Sequence, residues 1–191
     1  MDKTAKIAER KRRIQEMFNG IARRYDLLNH LLSAGIDFYW RRRALSRSRI
    51  GDSTDVLDLA TGTGDFALAA SRLKPRRVIG VDVAVQMLRY GQGKIDNGAA
   101  IRLMAGDAEC LPFADASFDL VTVAFGVRNF GHIPTGLREA SRVLRAAGEL
   151  VILDFAEPDM PVFKQLYAFY FKRILPLVGG IISGNRSAYS Y

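Results

Sequence analysis

Apolar positions are spaced differently on the two sides of about residue 50. Before it, Ile7, Ile14, Met17 and Phe18 share one face of a helix expected from Ala5 to Phe18. Ile21, Tyr25 and Leu28 repeat that spacing from Ile21 to Leu32. Beyond it, runs that are apolar at successive positions recur: Val56–Leu59, Val78–Val81, Ile101–Met104, Leu120–Phe125 and Leu150–Phe155. Such runs suit strands covered on both faces. Helix-length segments, Phe66–Leu73, Val85–Lys94 and Thr135–Arg145, separate most of them. Strand–helix–strand repetition predicts right-handed crossovers and a parallel sheet with helices on both faces. The expected fold is therefore doubly wound α/β, with ligands at the carboxyl ends of the strands. Residues 1–50 are expected to form a helical cap and 51–191 the α/β domain.

Composition narrows the class without changing this picture. With 191 residues, 49% hydrophobic and 25% charged, the chain can bury a core, which excludes disordered, collagen-like and disulfide-framework classes. Cys110 is the sole cysteine, so an intrachain disulfide and Cys-rich zinc motifs are excluded and a cytoplasmic setting fits. The N-terminus lacks the apolar stretch of a secretory signal. The nearest candidate for a bilayer span, Phe163 to Ile182, is broken by Lys164, Lys172, Arg173 and Pro176, so no span is expected.

The net charge of +8 resides in residues 1–49, which hold 13 Lys/Arg against five acids; the remainder balances to zero. This basic cap can be a solvated helix face, or can dock on an anionic membrane surface, where each Lys/Arg is worth about 1 kcal/mol. A nucleic-acid partner is not expected, because no motif or interleaved aromatic pattern accompanies the charge.

Chemistry gathers at the strand ends. The first run leads into Asp58-Leu59-Ala60-Thr61-Gly62-Thr63-Gly64-Asp65, where Gly62 and Gly64 permit a tight turn and close ligand approach. Gly62-x-Gly64-x-x-Ala67 also satisfies the loose dinucleotide fingerprint. The acids argue otherwise. Asp82 ends the second run, 18 residues after Gly64, and Asp107 follows the third. Asp58 and Asp65 flank the turn, and they would repel a pyrophosphate but attract an ammonium and a sulfonium. S-adenosyl-L-methionine carries both cations, a ribose diol and an adenine. Asp82 would accept from the ribose hydroxyls, with Val83 and Met87 walling the adenine. Asp107 would accept from the exocyclic amine, and the Ala108 N–H would donate to the ring. Thr63 and the Gly64 backbone would meet the methionine end. Asp65 can alternatively cap the following helix.

Further motifs carry a resemblance. The acidic glycine loop, Gly106-Asp107-Ala108-Glu109-x-Leu111-Pro112-Phe113 and Phe125-Gly126-Val127-Arg128-Asn129 stand in order, with Tyr25-Asp26-Leu27-Leu28-Asn29 and Trp40-Arg41 before them. Ser187-x-Tyr189-x-Tyr191 follows at the end. Together they resemble the quinone C-methyltransferases that act on demethylmenaquinol or the ubiquinol precursor, from Ile14 to Tyr191. The resemblance implies methyl transfer from S-adenosyl-L-methionine to a ring carbon of a prenylated quinol, with peripheral contact at the inner face of the membrane. Thr63, Asp82, Asp107 and Ala108 match the family's cofactor contacts, while a serine of the family is Ala124 here. Tyr25, Arg128 and Asn129 match residues that hold the quinol and assist its deprotonation.

A guanidinium stays protonated, so Arg128 is assigned to stabilising the quinolate, with Asn129 and Tyr25 orienting the ring; His132 is an alternative base. The aromatic segment from Phe163 to Leu175 can wall a polyprenyl tail or pack on the sheet. Relative to the family, the chain lacks a final helix and a two-strand pair, which would leave Leu150–Phe155 as a sheet edge. Self-association is left open. The competing expectations are a class I methyltransferase for another small molecule, a non-catalytic fragment that binds the same cofactor, and a nicotinamide oxidoreductase.

Overall fold

A computed structural model describes residues 3–33, 35–96 and 100–154. Helix α1, Lys3–Leu32, is followed by α2, Ile36–Leu45. The strands are β1 (Asp55–Leu59), β2 (Arg77–Asp82), β3 (Ile101–Ala105), β4 (Phe118–Ala124) and β5 (Leu144–Leu153). Helices α3 (Asp65–Ser71), α4 (Val85–Gln92) and α5 (Ile133–Val143) connect them. All pairings are parallel, in the order β3-β2-β1-β4-β5. The chain order reverses beside β1, which opens a crevice at the carboxyl ends of β1 and β4.

The contiguous apolar runs earn their place because both faces of the sheet are covered. Leu57, Leu59, Val121 and Val123 pack with Phe118, Phe130, Ala140 and Val143 on one face. Val56, Val78 and Leu120 pack with Leu45, Phe66, Ala67 and Ala70 on the other. Each fully buried Val or Leu contributes about 1.5–3 kcal/mol. The second face also carries buried polar side chains at Asp58 and Thr122; Asp58 accepts from Thr61 Oγ1 at 2.6 Å and from Thr122 Oγ1 at 2.7 Å.

At the opposite, amino end of the sheet, acids serve as ties. Asp55 is paired with Arg76, with Arg77 Nε at 3.0 Å and with Arg145 Nη2 at 2.9 Å. Burial opposes its charge, but hydrogen bonds from Arg76, Arg145 and Arg77 outweigh it and hold the carboxyl at about 2. Asp119 accepts the Asp55 N–H at 2.8 Å and Arg145 Nη1 at 2.6 Å, so β1, β4 and β5 are tied together there.

Three expectations change. The two N-terminal helices are one, continuous through Gly20, which sits in open space and costs the helix only about 1 kcal/mol. Helix α2 was not anticipated. Strand β5 begins at Leu144, with a register shift opposite Phe118 and Leu120 and Ala147 at φ 64°, where a helix was expected to run to Arg145. The aromatic Phe163–Leu175 segment and the Ser187–Tyr191 motif lie outside the described residues. No helix among those described is long and apolar enough to cross a membrane.

Candidate active site

The turn after β1 makes the site possible. Gly62 and Gly64 have φ of 57° and 81°, conformations costly for a side chain with a Cβ, and Gly64 N–H closes the turn on Thr61 O at 2.9 Å. Ala60 and Phe125, at the ends of the central strands β1 and β4, also take positive φ, 51° and 55°. Such strain concentrates where a fold aims residues at a ligand.

These turns open on a cavity of about 470 Å³, within the range of about 300–1,000 Å³ usual for ligand pockets. Asp82 and Val83 at the end of β2, Gly106, Asp107 and Ala108 after β3, and Ala124, Phe125 and Asn129 at and beyond the end of β4 line it, with Gly62 at its floor. Val85 and Met87 of α4 add an apolar wall. The structure thus brings Gly62, Asp82, Asp107, Ala108, Asn129 and Tyr25 together in one hollow.

Asp82 is held ready by backbone donors: Gly62 N–H at 2.8 Å to Oδ2 and Ala84 N–H at 2.8 Å to Oδ1. Burial raises its pKa, and hydrogen bonds from Ala84 and Gly62 pull the other way. Asp107 Oδ1 accepts Glu109 N–H at 2.9 Å, while Oδ2 receives Lys11 Nζ at 2.7 Å.

The roof is helix α1, of which the sequence reading had brought only Tyr25 to the site. Lys11, Ile14, Gln15, Phe18 and Tyr25 all line the cavity. Gln15 Nε2 donates to Val83 O at 2.6 Å, and Asn19 Oδ1 caps α4 by accepting Gln86 N–H at 2.9 Å. Lys11 is therefore part of the site wall rather than of a basic face turned to solvent or lipid. The i, i+4, i+8 spacing of Lys11, Gln15 and Asn19 was the available signal; their polarity disguised it as surface.

Other expected residues stand elsewhere. The Thr63 hydroxyl donates to Asp26 and accepts from Lys94 Nζ at 3.0 Å, outside the main cavity. Gly64 caps α3 through its backbone, so Asp65 is not the cap. Asp65 instead pairs with Lys94 Nζ at 2.6 Å and lies 3.5 Å from His30 Nε2, so its charge is already met. Arg128 lies beside Asn129 but outside the cavity lining, with Nη1 3.1 Å from Asp154 Oδ1 and its carbonyl accepting from Arg10 Nη2 at 3.0 Å. His132 Nδ1 is 2.7 Å from Thr135 Oγ1, and its ring does not line the cavity.

Asp58 and Thr63 border a second, smaller hollow of about 30 Å³ that shares Tyr25, Ala60, Gly62, Ala124 and Phe125 with the first. Burial pushes the Asp58 carboxyl up to about 6, against the hydrogen bonds of Thr61 and Thr122 and the nearby charge of Arg41.

A 3-2-1-4-5 parallel sheet with carboxylates at three adjacent strand ends around a glycine turn defines a class I methyltransferase. In agreement, a family model described as the ubiE/COQ5 methyltransferase family matches residues 5–191. The chain belongs to that family. The ubiquinone/menaquinone biosynthesis C-methyltransferase UbiE of Geotalea uraniireducens is 46% identical over 191 residues, covering 97% of this chain and 81% of the relative. The demethylmenaquinone methyltransferase of Thermus thermophilus is 48% identical over 177 residues, 92% of this chain and 80% of the relative. Among solved structures, a putative S-adenosyl-L-methionine-dependent methyltransferase from Methanococcus maripaludis superposes with a TM-score of 0.64 at 19% identity, over 87% of this chain and 75% of that one, a likeness of fold.

Proposed function

We propose that the chain transfers a methyl group from S-adenosyl-L-methionine to a ring carbon of a prenylated quinol, as the names of its relatives say of them. The supporting observation is the pairing of Asp82 and Asp107 across one roofed cavity. Their carboxylates suit hydroxyl and amine donors and oppose a phosphate, and Gly62 leaves the floor open to close approach. S-adenosyl-L-methionine supplies a sulfonium-activated methyl group when bound. Asp82 would hold the ribose diol, Asp107 and the Ala108 N–H the adenine, and the Gly62–Gly64 turn with Thr63 and Asp58 the methionine end.

The remaining task for the protein is alignment and charge stabilisation, of which positioning alone can lower a barrier by about 7–11 kcal/mol. Asn129 and Tyr25, both in the cavity wall, orient the quinol ring. Arg128, tethered by Asp154, contributes a fixed positive potential toward the quinolate. Deprotonation proceeds through water or a neighbouring group, since the guanidinium keeps its protons.

The proposed setting is the cytoplasmic face of a membrane. At the corner between α1 and α2, Leu27, Leu31, Ile36, Phe38 and Tyr39 stand exposed, flanked by exposed Arg23, Arg24, Arg42 and Arg43. An apolar patch rimmed by cations suits an anionic lipid surface, where the tail of the substrate resides. The test is incorporation of labelled methyl from S-adenosyl-L-methionine into demethylmenaquinol, compared with tail-less phenols, with and without anionic vesicles. Carbon methylation of the prenylated quinol, enhanced by vesicles, is expected. Methylation of the phenols alone would assign the chain to another small molecule, and cofactor binding with no turnover would make it a binding fragment.

A further inference from the structure

Just beyond α4, Lys94 commits its whole ammonium to the junction between α1 and the glycine turn. Its Nζ donates to Asp26 Oδ2 at 2.7 Å, to Asp65 Oδ1 at 2.6 Å and to Thr63 Oγ1 at 3.0 Å. An ammonium has three protons, so all of them are engaged. The buried Thr63 hydroxyl gives its own proton to Asp26 Oδ1. Lys94 is therefore a brace and not a substrate contact.

Its charge is what permits the brace. Carboxylate oxygens of Asp26 and Asp65 lie within 4.8 Å of each other, a range at which like charges in a partly dry site repel. Asp65 also faces His30 Nε2 at 3.5 Å and Arg41 Nη2 at 3.9 Å. For Asp26, the paired cation among the described residues is Lys94. Take the ammonium away, and α1 is pushed from the turn at Asp26.

Tyr25, the neighbour of Asp26 on α1, lines both the main cavity and the smaller hollow. Its ring comes to 4.0 Å from the point where a Cβ on Gly62 would lie, so it rests against the same turn. The other end of the brace is firm as well: Lys94 N–H donates to Gly91 O at 2.9 Å, and Gly91 abuts the Thr63 carbonyl.

We propose that Lys94 is a positioning residue for the methyl transfer: by neutralising Asp26 and Asp65 together it seats α1 on the glycine turn and so fixes Tyr25 and the ring that Tyr25 orients. The proposal rests on the quinol-methylation reading above. A misplacement of about 1 Å between reacting groups costs about a hundredfold in rate, so the effect belongs in the transfer step.

The experiment follows a single turnover by rapid quench, mixing the full chain loaded with labelled S-adenosyl-L-methionine with demethylmenaquinol; donor affinity is read separately by calorimetry. Lys94→Met is expected to slow transfer by about tenfold or more. Donor affinity should stay within about threefold, because Asp82 and Asp107 stand on loops that Lys94 does not touch. Lys94→Arg should recover part of the rate. Adding Asp65→Asn to Lys94→Met removes the repulsion along with the ammonium, and should speed transfer about fivefold over Lys94→Met alone. Unchanged transfer in Lys94→Met overturns the proposal. Equal losses of rate and donor affinity with a lowered melting temperature, the mark of a merely structural brace, overturn it too, as does a double variant no faster than Lys94→Met. An unaltered chain that binds the donor and methylates no quinol overturns the functional reading, and the proposal with it.

Discussion

The Lys11 ammonium stands 2.7 Å from Oδ2 of Asp107, and it also reaches Glu109 Oε2 at 2.9 Å. Helix α1 is thereby latched to the loop after β3 at the point where the adenine amine would be received. Desolvation lowers the Lys11 pKa, but hydrogen bonds and charge from Asp107 and Glu109 outweigh it and raise the value overall. The ion pair is partly solvated, and such pairs contribute only about 0–1 kcal/mol. Lys11→Met is therefore expected to change cofactor affinity by less than about fivefold while accelerating cofactor release, measured by stopped-flow displacement. A loss of affinity beyond that would mean Lys11 contacts the ligand itself.

Asp82 has two duties, and they can be separated. It accepts the Gly62 and Ala84 N–H groups and faces the cavity. Asp82→Ala is expected to weaken S-adenosylmethionine by roughly 1–3 kcal/mol, the cost of orphaned hydrogen bonds. Asp82→Asn keeps acceptors for the backbone donors only in part, and should retain more thermal stability than the alanine variant while still losing affinity. Calorimetry and melting curves on both variants check this, and a wild-type affinity in Asp82→Ala would remove Asp82 from the site.

The buried Asp58 carboxyl, raised to about 6, makes binding proton-linked. A cationic ligand favours the ionised form, so affinity should fall as pH drops below about 6, by up to about tenfold per pH unit for one proton. The unliganded chain behaves oppositely at this residue: the protonated form is favoured by folding, so its contribution to stability is greatest at low pH and is lost as pH rises through about 6. Titrations from pH 5 to pH 8 should show the decline, and Asp58→Asn should flatten it.

Helix α4 approaches the glycine turn closely enough to predict a packing defect. A Cβ at Gly91 would lie 2.7 Å from the Thr63 carbonyl oxygen and 2.9 Å from its carbon, both backbone atoms that cannot swing aside. Gly91→Ala should cost about 1–3 kcal/mol, a fall in Tm of roughly 3–10 °C. An unchanged melting temperature would show that α4 shifts freely against the turn.

How far the sequence discloses this molecule depends on whether local pattern or distant packing decides. All five strands lie near the apolar runs, because burial on both faces leaves a contiguous signature at Val56–Leu59 or Val78–Val81. Asp82 and Asp107 were legible for the same reason, since each ends or follows such a run. Helix α2 was not, because the side chains it buries include Asp37 and Arg41, which read as surface. Those two pair with each other, and Asp37 also accepts from Ser33, at spacings of four that read equally well as an exposed helix-surface ion pair; only their burial needs three dimensions. The start of β5 was hidden for another reason: Arg145-Ala146-Ala147-Gly148 has helical composition, and the bulge opposite β4 overrides it. The destinations of Thr63 and Asp65 were likewise set by Asp26 and Lys94, 37 and 29 residues distant respectively.

Helix α1 is unbroken over 30 residues, a rod about 45 Å long. Lys11 and Gln15 press on the cavity, and Leu27 and Leu31 project into solvent further along the same rod. A pivot of about 10° at Lys11 sweeps Leu31 through about 5 Å, given a rise of about 1.5 Å per residue. In the membrane setting proposed above, a surface that held the outer extremity would therefore bear on the ceiling of the chamber through the same rod.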